Sequence, residues 1–168
     1  MKISIRNETA ADVHAIAEIT RAAFGNHPHS RQTEVFIIDA LRAANALALS
    51  LVAEADRQVV GHIAFSPVTI SDGSPGWYGA GPLSVLPEFQ RRGIGQALVR
   101  EGLSRLRASG ARGCTLVGDP AYYQRFGFRN CPDLVLDGVP PQNFLALSFG
   151  EHTAVGTVVF HEAFAAAG

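Results

Sequence analysis

The alternation of apolar and polar positions divides the N-terminal third of the chain into one strand and two helices. Residues 2–6 alternate as a short strand does, and residues 13–24 place apolar side chains at helical spacing. A Thr-x-x-Asp capping pattern at residues 9–12 precedes this helix, and Gly25-Asn26-His27-Pro28 ends it. A second helix is predicted over residues 31–45, where Val, Ile and Leu recur in phase.

In the middle of the chain, the pattern predicts strands followed by a long helix. Two strand-like runs cover residues 47–53 and 59–70, and a turn cluster lies at residues 72–76. A short apolar strand at residues 83–86 stops at Pro87. The next helix is predicted from Gly93 to about Ala108, because its apolar residues form one stripe at i, i+4 spacing.

The C-terminal third predicts three strands and one short helix. A buried-type strand is predicted at residues 114–117, and a short helix at residues 122–126. Two strands, 144–149 and 154–160, flank a turn at Gly150-Glu151. The order β-α-α-β-β-β-α-β-α-β-β indicates an α/β chain with a mixed sheet.

Composition favours a single globular domain. The 168 residues are 47% hydrophobic and 17% charged, so we expect one domain over residues 1–168 with its core at about 3–164. A net charge of −1 argues against capture of nucleic acid or a membrane surface. We find neither an apolar run of membrane length nor a signal peptide, and we expect a cytoplasmic protein.

Cysteines and histidines do not predict a metal site. Cys114 and Cys131 fit no metal-binding spacing, and we expect both to be free thiols. His27 and His29 flank a proline without a third ligand nearby in the sequence.

The junction at residues 90–95, Gln-Arg-Arg-Gly-Ile-Gly, has the chemistry of a phosphate cradle. Gly93 and Gly95 let the backbone turn tightly and approach a ligand closely. The helix that begins here offers unpaired N–H groups and the positive end of its dipole. Arg91 and Arg92 add positive charge suited to phosphate oxygens.

Two common phosphate-binding motifs do not fit this junction. The Walker loop requires G-x-x-x-x-G-K-[ST], which is absent from the sequence, and the dinucleotide fingerprint requires a third small residue where Leu98 stands. What remains, [Q/R]-x-x-G-x-[G/A] between a strand and a helix, resembles the pyrophosphate-binding signature of the GNAT acyltransferases.

A second motif strengthens this resemblance. Tyr123, Gly127 and Phe128 match the Y-x-x-x-G-F of the last core helix in GNAT proteins, one strand after the phosphate-binding helix. The strings GPLSVLPEFQRRGIG, GDPAYYQRFGF and GTVVFHEAF resemble a subgroup called YhbS-like. Many relatives have an Asn before this helix that helps to hold pantetheine; residues 116–120 contain none, and Asp119 does not inherit that role.

The resemblance implies a fold and a cofactor. The fold would be a single-domain α/β (α+β) GNAT fold, with a mixed, mostly antiparallel, twisted sheet that splays at its central strands and has helices on both faces. The cofactor would be acetyl-CoA as acyl donor, without a metal. Its pantetheine would pair with strand backbone freed near Pro82, and the N–H of Val85 would polarise the thioester. The implied cofactor-binding residues are Leu83, Ser84, Val85, Gln90, Arg91, Arg92, Gly93, Ile94, Gly95 and Gln96.

The resemblance also implies acetyl transfer to an amine, with Tyr123 as general acid. Tyr123 would either have a lowered pKa or only hydrogen-bond the departing sulfur. The general base stays open, and the candidates are Glu34, His27, His29, Asp119 and a water relay.

The sequence says less about the acyl acceptor and the oligomeric state. Residues 24–42 and the late strands would select the acceptor, and many relatives are homodimers. The alternatives are a non-catalytic acyl-CoA-binding module and a GNAT-type toxin that acetylates aminoacyl-tRNA, although the net charge disfavours the toxin.

Overall fold

A computed structural model describes residues 1–28, 30–151 and 154–167, which form eight strands and four α-helices. The strands are β1 Ile3–Asn7, β2 Leu49–Ala55, β3 Gln58–Ile70, β4 Trp77–Val85, β5 Gly113–Val117, β6 Leu134–Val135, β7 Phe144–Ser148 and β8 Gly156–Phe160. The helices are α1 Val13–Phe24, α2 Glu34–Ala43, α3 Ile94–Ala108 and the short α4 Pro120–Tyr123.

The sheet is mixed and mostly antiparallel, as predicted. Its main path runs β1-β2-β3-β4-β5-β7. The β4–β5 pair is parallel, and the other neighbours on this path are antiparallel. Beyond its pairing with β4, β3 continues and pairs with β8 along Val68–Ile70, and β8 pairs with the short β6.

Helices cover both faces of the sheet. Successive residues of a strand point to opposite sides, so one strand contributes side chains to both layers of helices. On one face, Leu51 and Phe65 pack with apolar side chains of α3 such as Leu98. On the other face, Val52 packs with Ile16 of α1 and Ile38 of α2. The prediction of helices on both faces is therefore confirmed.

Several predicted boundaries were wrong. The second helix begins at Glu34 and not at residue 31, since Gln32 has a left-handed φ of 62° that no helix continues through. Strand β4 begins at Trp77, six residues before the predicted strand. Gly79, Gly81 and Pro82 are unfavourable in a strand, so the local sequence did not predict this segment. Pairing with β3 and β5 nevertheless holds it in an extended conformation.

The C-terminal strands also pair differently from a hairpin. β7 pairs with β5, whereas β8 pairs with β3 and β6, so the turn near Gly150 joins strands that lie in different parts of the sheet. Strand β6 has only two residues and was not predicted. None of the helices in the described ranges is long and apolar enough to cross a membrane.

The start of α1 is held to the sheet by a buried carboxylate. Arg6 of β1 donates two hydrogen bonds to Asp12, of 2.7 and 2.9 Å, and the Thr9 N–H donates a third of 2.7 Å. The side chain of Arg6 also donates to Glu54 of β2. Hydrogen bonds from Arg6 hold the pKa of Asp12 well below its usual range, against the opposing effect of burial.

This network predicts a defined acid sensitivity. A folded-state pKa below the unfolded value, about 3.9, stabilises the fold above that value, and the contribution is lost as pH falls below it. We expect Asp12→Asn to lower the free energy of unfolding at pH 7 by about 1–3 kcal/mol. Urea unfolding at several pH values measures this, and the difference from wild type should shrink below about pH 4. A difference independent of pH would contradict the assignment.

A second prediction concerns the contact between α3 and the sheet. A Cβ on Gly102 would lie 2.3 and 2.4 Å from ring atoms of the buried Phe65, so the helix or the ring must move. We expect Gly102→Ala to lower the free energy of unfolding by about 1–3 kcal/mol, as overpacking does. The exposed Ser104→Ala on the same helix is the matched control and should stay within about 0.5 kcal/mol of wild type.

Candidate active site

The candidate site is the gap where β4 leaves β5. The two strands pair only from Trp77–Gly113 to Gly79–Thr115. Beyond that point β4 stays with β3, and β5 stays with β7 to its last residue. At the parting, Gly81 and Pro82 together oppose the one residue of β3 between Ile63 and Phe65, which is a β-bulge. The predicted splay is thus confirmed.

The gap is a cleft of about 1210 Å³ that runs from the glycine loop to the C-terminal end of α1. One wall comprises β4 and the first turns of α3, and the other comprises the end of β5 and α4. The residues of β4, the glycine loop and the first turn of α3 that line it are Ala80, Gly81, Pro82, Leu83, Val85, Gln90, Arg91, Gly93, Ile94, Gly95 and Gln96.

The glycine loop has a backbone shaped to receive an anion. Arg91 and Gly93 both have left-handed φ values, 64° and 83°, and Gly93 is the N-cap of α3. Gln90 donates from Nε2 to the carbonyl of Val85 at 2.9 Å, which ties the loop to β4. The N–H groups of the first turn of α3 have no intrahelical acceptors and are available to a ligand.

The free edge of β4 offers backbone groups on the cleft side. Leu86 donates its N–H to Val60 of β3, at 2.9 Å. Since backbone groups alternate in direction along a strand, those of Ser84 also face β3, and those of Leu83 and Val85 face the cleft. A linear ligand with amide groups could pair with this edge as an added strand would.

Two adjacent tyrosines stand across the cleft from β4. Tyr123 lies against Phe128 with ring centroids 6.1 Å apart, and an edge contact of 4.9 Å joins it to Tyr122. Burial raises the pKa of Tyr123 to about 12, and Tyr122 adds to the shift. Of the two possibilities open from the sequence, this favours a neutral tyrosine that donates a hydrogen bond over one with a lowered pKa.

Tyr122 also lines the cleft, although it is not part of the Y-x-x-x-G-F motif. Its hydroxyl lies 3.4 Å from the point where a Cβ on Gly95 would be. Burial raises the pKa of Tyr122, so it too is a neutral donor. Only Tyr123 occupies the tyrosine position of the Y-x-x-x-G-F motif, so the sequence pointed to Tyr123, whereas the fold also brings Tyr122 into the cleft.

The predicted cofactor-binding residues line the cleft with two exceptions. Ser84 is buried, and its side chain is not among those that line the cleft. Arg92 also lies outside the lining, and its guanidinium is 5.5 Å from the centre of the Phe89 ring.

The candidate general bases are distributed unequally. His27 and Asp119 line the cleft, whereas Glu34 does not and accepts hydrogen bonds from Ser30. The Asp119 carboxylate accepts from the N–H of Ala121 at 2.9 Å and so caps α4. His29 lies outside the described residues.

The end of the cleft opposite the glycine loop is lined by the C-terminal end of α1 and by the segment before β7. α1 contributes Ala23 and Phe24, and the segment before β7 contributes Val139, Pro140 and Asn143. Asn143 donates from Nδ2 to the carbonyl of Gly118 at 3.2 Å. Across the described residues, no three His, Cys, Asp or Glu side chains come together as ligands for a metal ion.

Comparison with known proteins identifies the family. Residues 47–130 match the family described as "Acetyltransferase (GNAT) domain". The chain is also 37% identical over 125 residues to the N-acetyltransferase YhbS of Escherichia coli K12, itself described as uncharacterised; the match covers 74% of this chain and 72% of YhbS. The chain belongs to the GNAT acetyltransferase family.

Solved GNAT structures share the whole fold. A GNAT acetyltransferase from Brucella melitensis in complex with acetyl-CoA is 51% identical, with a TM-score of 0.87 over 97% of this chain and 98% of its own. YhbS from Escherichia coli in complex with CoA is 32% identical, with a TM-score of 0.90 over 100% of this chain and 94% of its own. The likeness extends well beyond the segment matched by the family.

Proposed function

We propose that this GNAT domain transfers an acetyl group from acetyl-CoA to a primary amine by direct attack on the thioester. The observation that supports this most strongly is the parting of β4 from β5, which leaves strand backbone free beside an anion-binding loop. The Brucella melitensis relative, whose structure contains acetyl-CoA, is 51% identical over nearly the full length.

The pyrophosphate of CoA would bind at the glycine loop. Backbone N–H groups between Arg91 and Gly95, with Gln96 in the first turn of α3, would donate to its oxygens. Arg91 lines the cleft and would add charge, whereas Arg92 would contribute at the rim, where its guanidinium is stacked on Phe89.

The pantetheine arm would lie along the free edge of β4. Its amides would pair with the backbone of Leu83 and Val85, which faces the cleft. This arrangement points the thioester carbonyl at the strand, where the N–H of Val85 would polarise it. Ser84 would not contact the cofactor directly, because its backbone groups face β3 and its side chain is buried outside the cleft lining.

The chemistry then needs two proton movements. The ammonium of the acceptor loses a proton, and the neutral nitrogen attacks the carbonyl carbon to form a tetrahedral intermediate. When the C–S bond breaks, the electron pair leaves with sulfur, and the nitrogen loses its second proton. One proton ends on the CoA thiol, and one is released to solvent.

Tyr123 would stabilise the departing sulfur as a hydrogen-bond donor. With a pKa of about 12, complete proton transfer to a thiolate of pKa near 8.5 is uphill by about 5 kcal/mol. A neutral phenol that donates without ionising avoids this cost. The proton that finally reaches sulfur would then come from the intermediate's nitrogen, through or beside the phenol.

Turnover separates this function from a non-catalytic binding module. The test incubates the protein with acetyl-CoA and a panel of primary amines, and measures free CoA thiol. We expect thiol release that depends on the amine. Binding of acetyl-CoA by calorimetry without any thiol release would instead support the binding module.

Tyr123→Phe tests the assigned donor. We expect kcat to fall about 10²-fold while the KM for acetyl-CoA stays within about twofold, because the hydroxyl would act mainly as the sulfur departs. The matched control is Tyr78→Phe, since Tyr78 packs against the core and is not among the cleft residues. An unchanged kcat in Tyr123→Phe would overturn this role.

Gly95→Ala tests where the cofactor lies. A Cβ at this position would meet its neighbours only at ordinary contact distances of 3.4 to 3.9 Å, so the folded chain accepts it. The methyl group would, however, occupy the approach of the pyrophosphate to α3. We expect the Kd for CoA to rise about tenfold or more, while the free energy of unfolding stays equal or rises by up to about 1 kcal/mol. Unchanged affinity would place the pyrophosphate elsewhere.

Three further expectations from the sequence analysis remain proposals. Residues 1–168 would form one domain, the protein would act in the cytoplasm, and two copies would associate as a homodimer. Sedimentation at several concentrations tests the homodimer directly.

A further inference from the structure

The wall of the cleft beside Tyr123 is built from three segments that hold one another in place. The ring of Tyr123 packs on Gly118, since a Cβ on that glycine would lie 2.5 Å from a ring atom. Gly118 donates its N–H to the carbonyl of Asn143 at 2.8 Å, and its own carbonyl accepts from the Asn143 side chain at 3.2 Å. The end of β5, the segment before β7 and the phenol proposed to stabilise the sulfur therefore keep a fixed relation.

Asp119 presents a carboxylate on this wall. It follows Gly118 and lines the cleft, and its backbone carbonyl accepts from the N–H of Tyr123 at 3.1 Å, so these two residues lie one helical turn apart. Its Oδ1 atom accepts from the N–H of Ala121 at 2.9 Å. Within residues 1–28, 30–151 and 154–167, its Oδ2 atom has neither a hydrogen-bond nor an ion-pair partner. One oxygen of this carboxylate is therefore available to a ligand.

The charges around the cleft suit a single ammonium group. Among the described residues that line it, Asp119 is the only carboxylate, and the only permanent cation is Arg91, in the glycine loop at the other end. The remaining ionisable group near the acceptor end is the imidazole of His27, whose ring centroid is 5.9 Å from that of Phe24. An alkylamine reaches the cleft as a cation, because the pKa of such a group is about 10. The wall thus provides one fixed counter-charge, for one ammonium.

The rest of the acceptor end is apolar. The side chains that line it there are those of Ala23, Phe24, Val117, Val139 and Pro140. Val117 is 50% exposed, so an apolar ligand that packs on it removes hydrophobic surface from water. A second ammonium or a carboxylate in the same place would lose hydration without gaining a fixed partner of opposite charge.

We propose that the acceptor is a primary amine with a single positive charge on an apolar chain or ring. Its ammonium group binds the free oxygen of Asp119, beside Tyr123, and its apolar part packs on Phe24, Val117 and Val139. The assignment rests on the proposed acetyl transfer and names the class of its acceptor. Polyamines, amino acids and peptide lysines are then poorer substrates than simple alkylamines.

Three amines that share the hexyl chain test the class. Hexylamine carries one charge, hexamethylenediamine adds a second ammonium, and ε-aminocaproate adds a carboxylate. With thiol release as the assay, we expect kcat/KM for hexylamine to exceed that of the other two by about tenfold or more. It should also rise about twofold or more for each methylene from butylamine to hexylamine. A flat series, or an equal or higher value for either charged analogue or for a lysine peptide, would overturn the class.

Asp119→Asn tests the ammonium site, because asparagine also caps a helix and only the charge is removed. We expect the KM for hexylamine to rise about fivefold, with kcat and the KM for acetyl-CoA within about twofold of wild type. The matched control is Asp72→Asn. Asp72 likewise accepts from the N–H two residues on, that of Ser74 at 2.8 Å, and lies outside the cleft lining. An unchanged KM for hexylamine in Asp119→Asn would overturn the site, and a fall in kcat at that unchanged KM would make Asp119 a base instead.

A charge added to the apolar wall should change the preference. Pro140 is exposed and has an extended ψ of 130°, which suits other residues before Pro141. We expect Pro140→Glu to raise the ratio of kcat/KM for hexamethylenediamine to that for hexylamine about fivefold or more, while the ratio in Pro140→Gln stays within about twofold of wild type. An unchanged ratio in Pro140→Glu would show that the acceptor chain lies elsewhere.

Binding without turnover separates this inference from the proposed function. The probe is N,N-dimethylhexylamine, a tertiary amine with the same charge and chain, added to the protein saturated with CoA and followed by calorimetry. Its Kd should rise about fivefold in Asp119→Asn and stay at the wild-type value in Asp72→Asn. Absence of binding to the wild type, or an equal Kd in Asp119→Asn, would overturn the site.

The two proposals fail in different ways. A wild-type protein that releases no thiol with any amine would overturn the proposed function, and the tertiary amine would still test the ammonium site. An active wild type that prefers hexamethylenediamine or ε-aminocaproate would overturn the acceptor class alone.

Discussion

The separation of β4 from β5 is the constraint on which the candidate site depends. A parallel pair normally continues its ladder, but here the ladder stops after Gly79 and Thr115. The bulge at Gly81 and Pro82 bends β4, and Pro82 has no N–H to donate. Because β5 keeps its partner β7 and β4 keeps its partner β3, the sheet opens without losing its outer ladders. The cost is an unpaired edge on each of the two strands, and an extended ligand can pair with the longer one, on β4.

Helix α3 keeps this opening in place and supplies its anion-binding end. Side chains of Ile94 and Leu98 lie against Gly61 of β3, and Phe65 occupies the space that a side chain on Gly102 would need. These close contacts set the height of the helix above the sheet, and therefore the position of its first turn beside β4. The left-handed residues Arg91 and Gly93 then direct the loop backbone into the cleft.

Elements with strong local patterns were predicted well, and those that depend on distant partners were not. The stripe of α3 and the capping box at Thr9 and Asp12 are local, and both agree with the structure. β4 was predicted too short, because its first half is a strand only through pairing with β3 and β5. His62 contacts Glu8 and Ser50, which are 54 and 12 positions away in the chain, so no local pattern relates the three residues.

The sequence by itself determined the type of fold, the anion-binding loop and the order of the two motifs, since each depends on residues a few positions apart. Residue type and spacing alone were enough to single out Gly93, Gly95, Tyr123 and Gly127. The tertiary structure alone decided which tyrosines line the cleft, which arginine turns away from it, and which buried groups stay without partners. Those outcomes follow from packing between distant segments, where a difference of a few ångströms decides whether a side chain meets a ligand, a ring or another polar group.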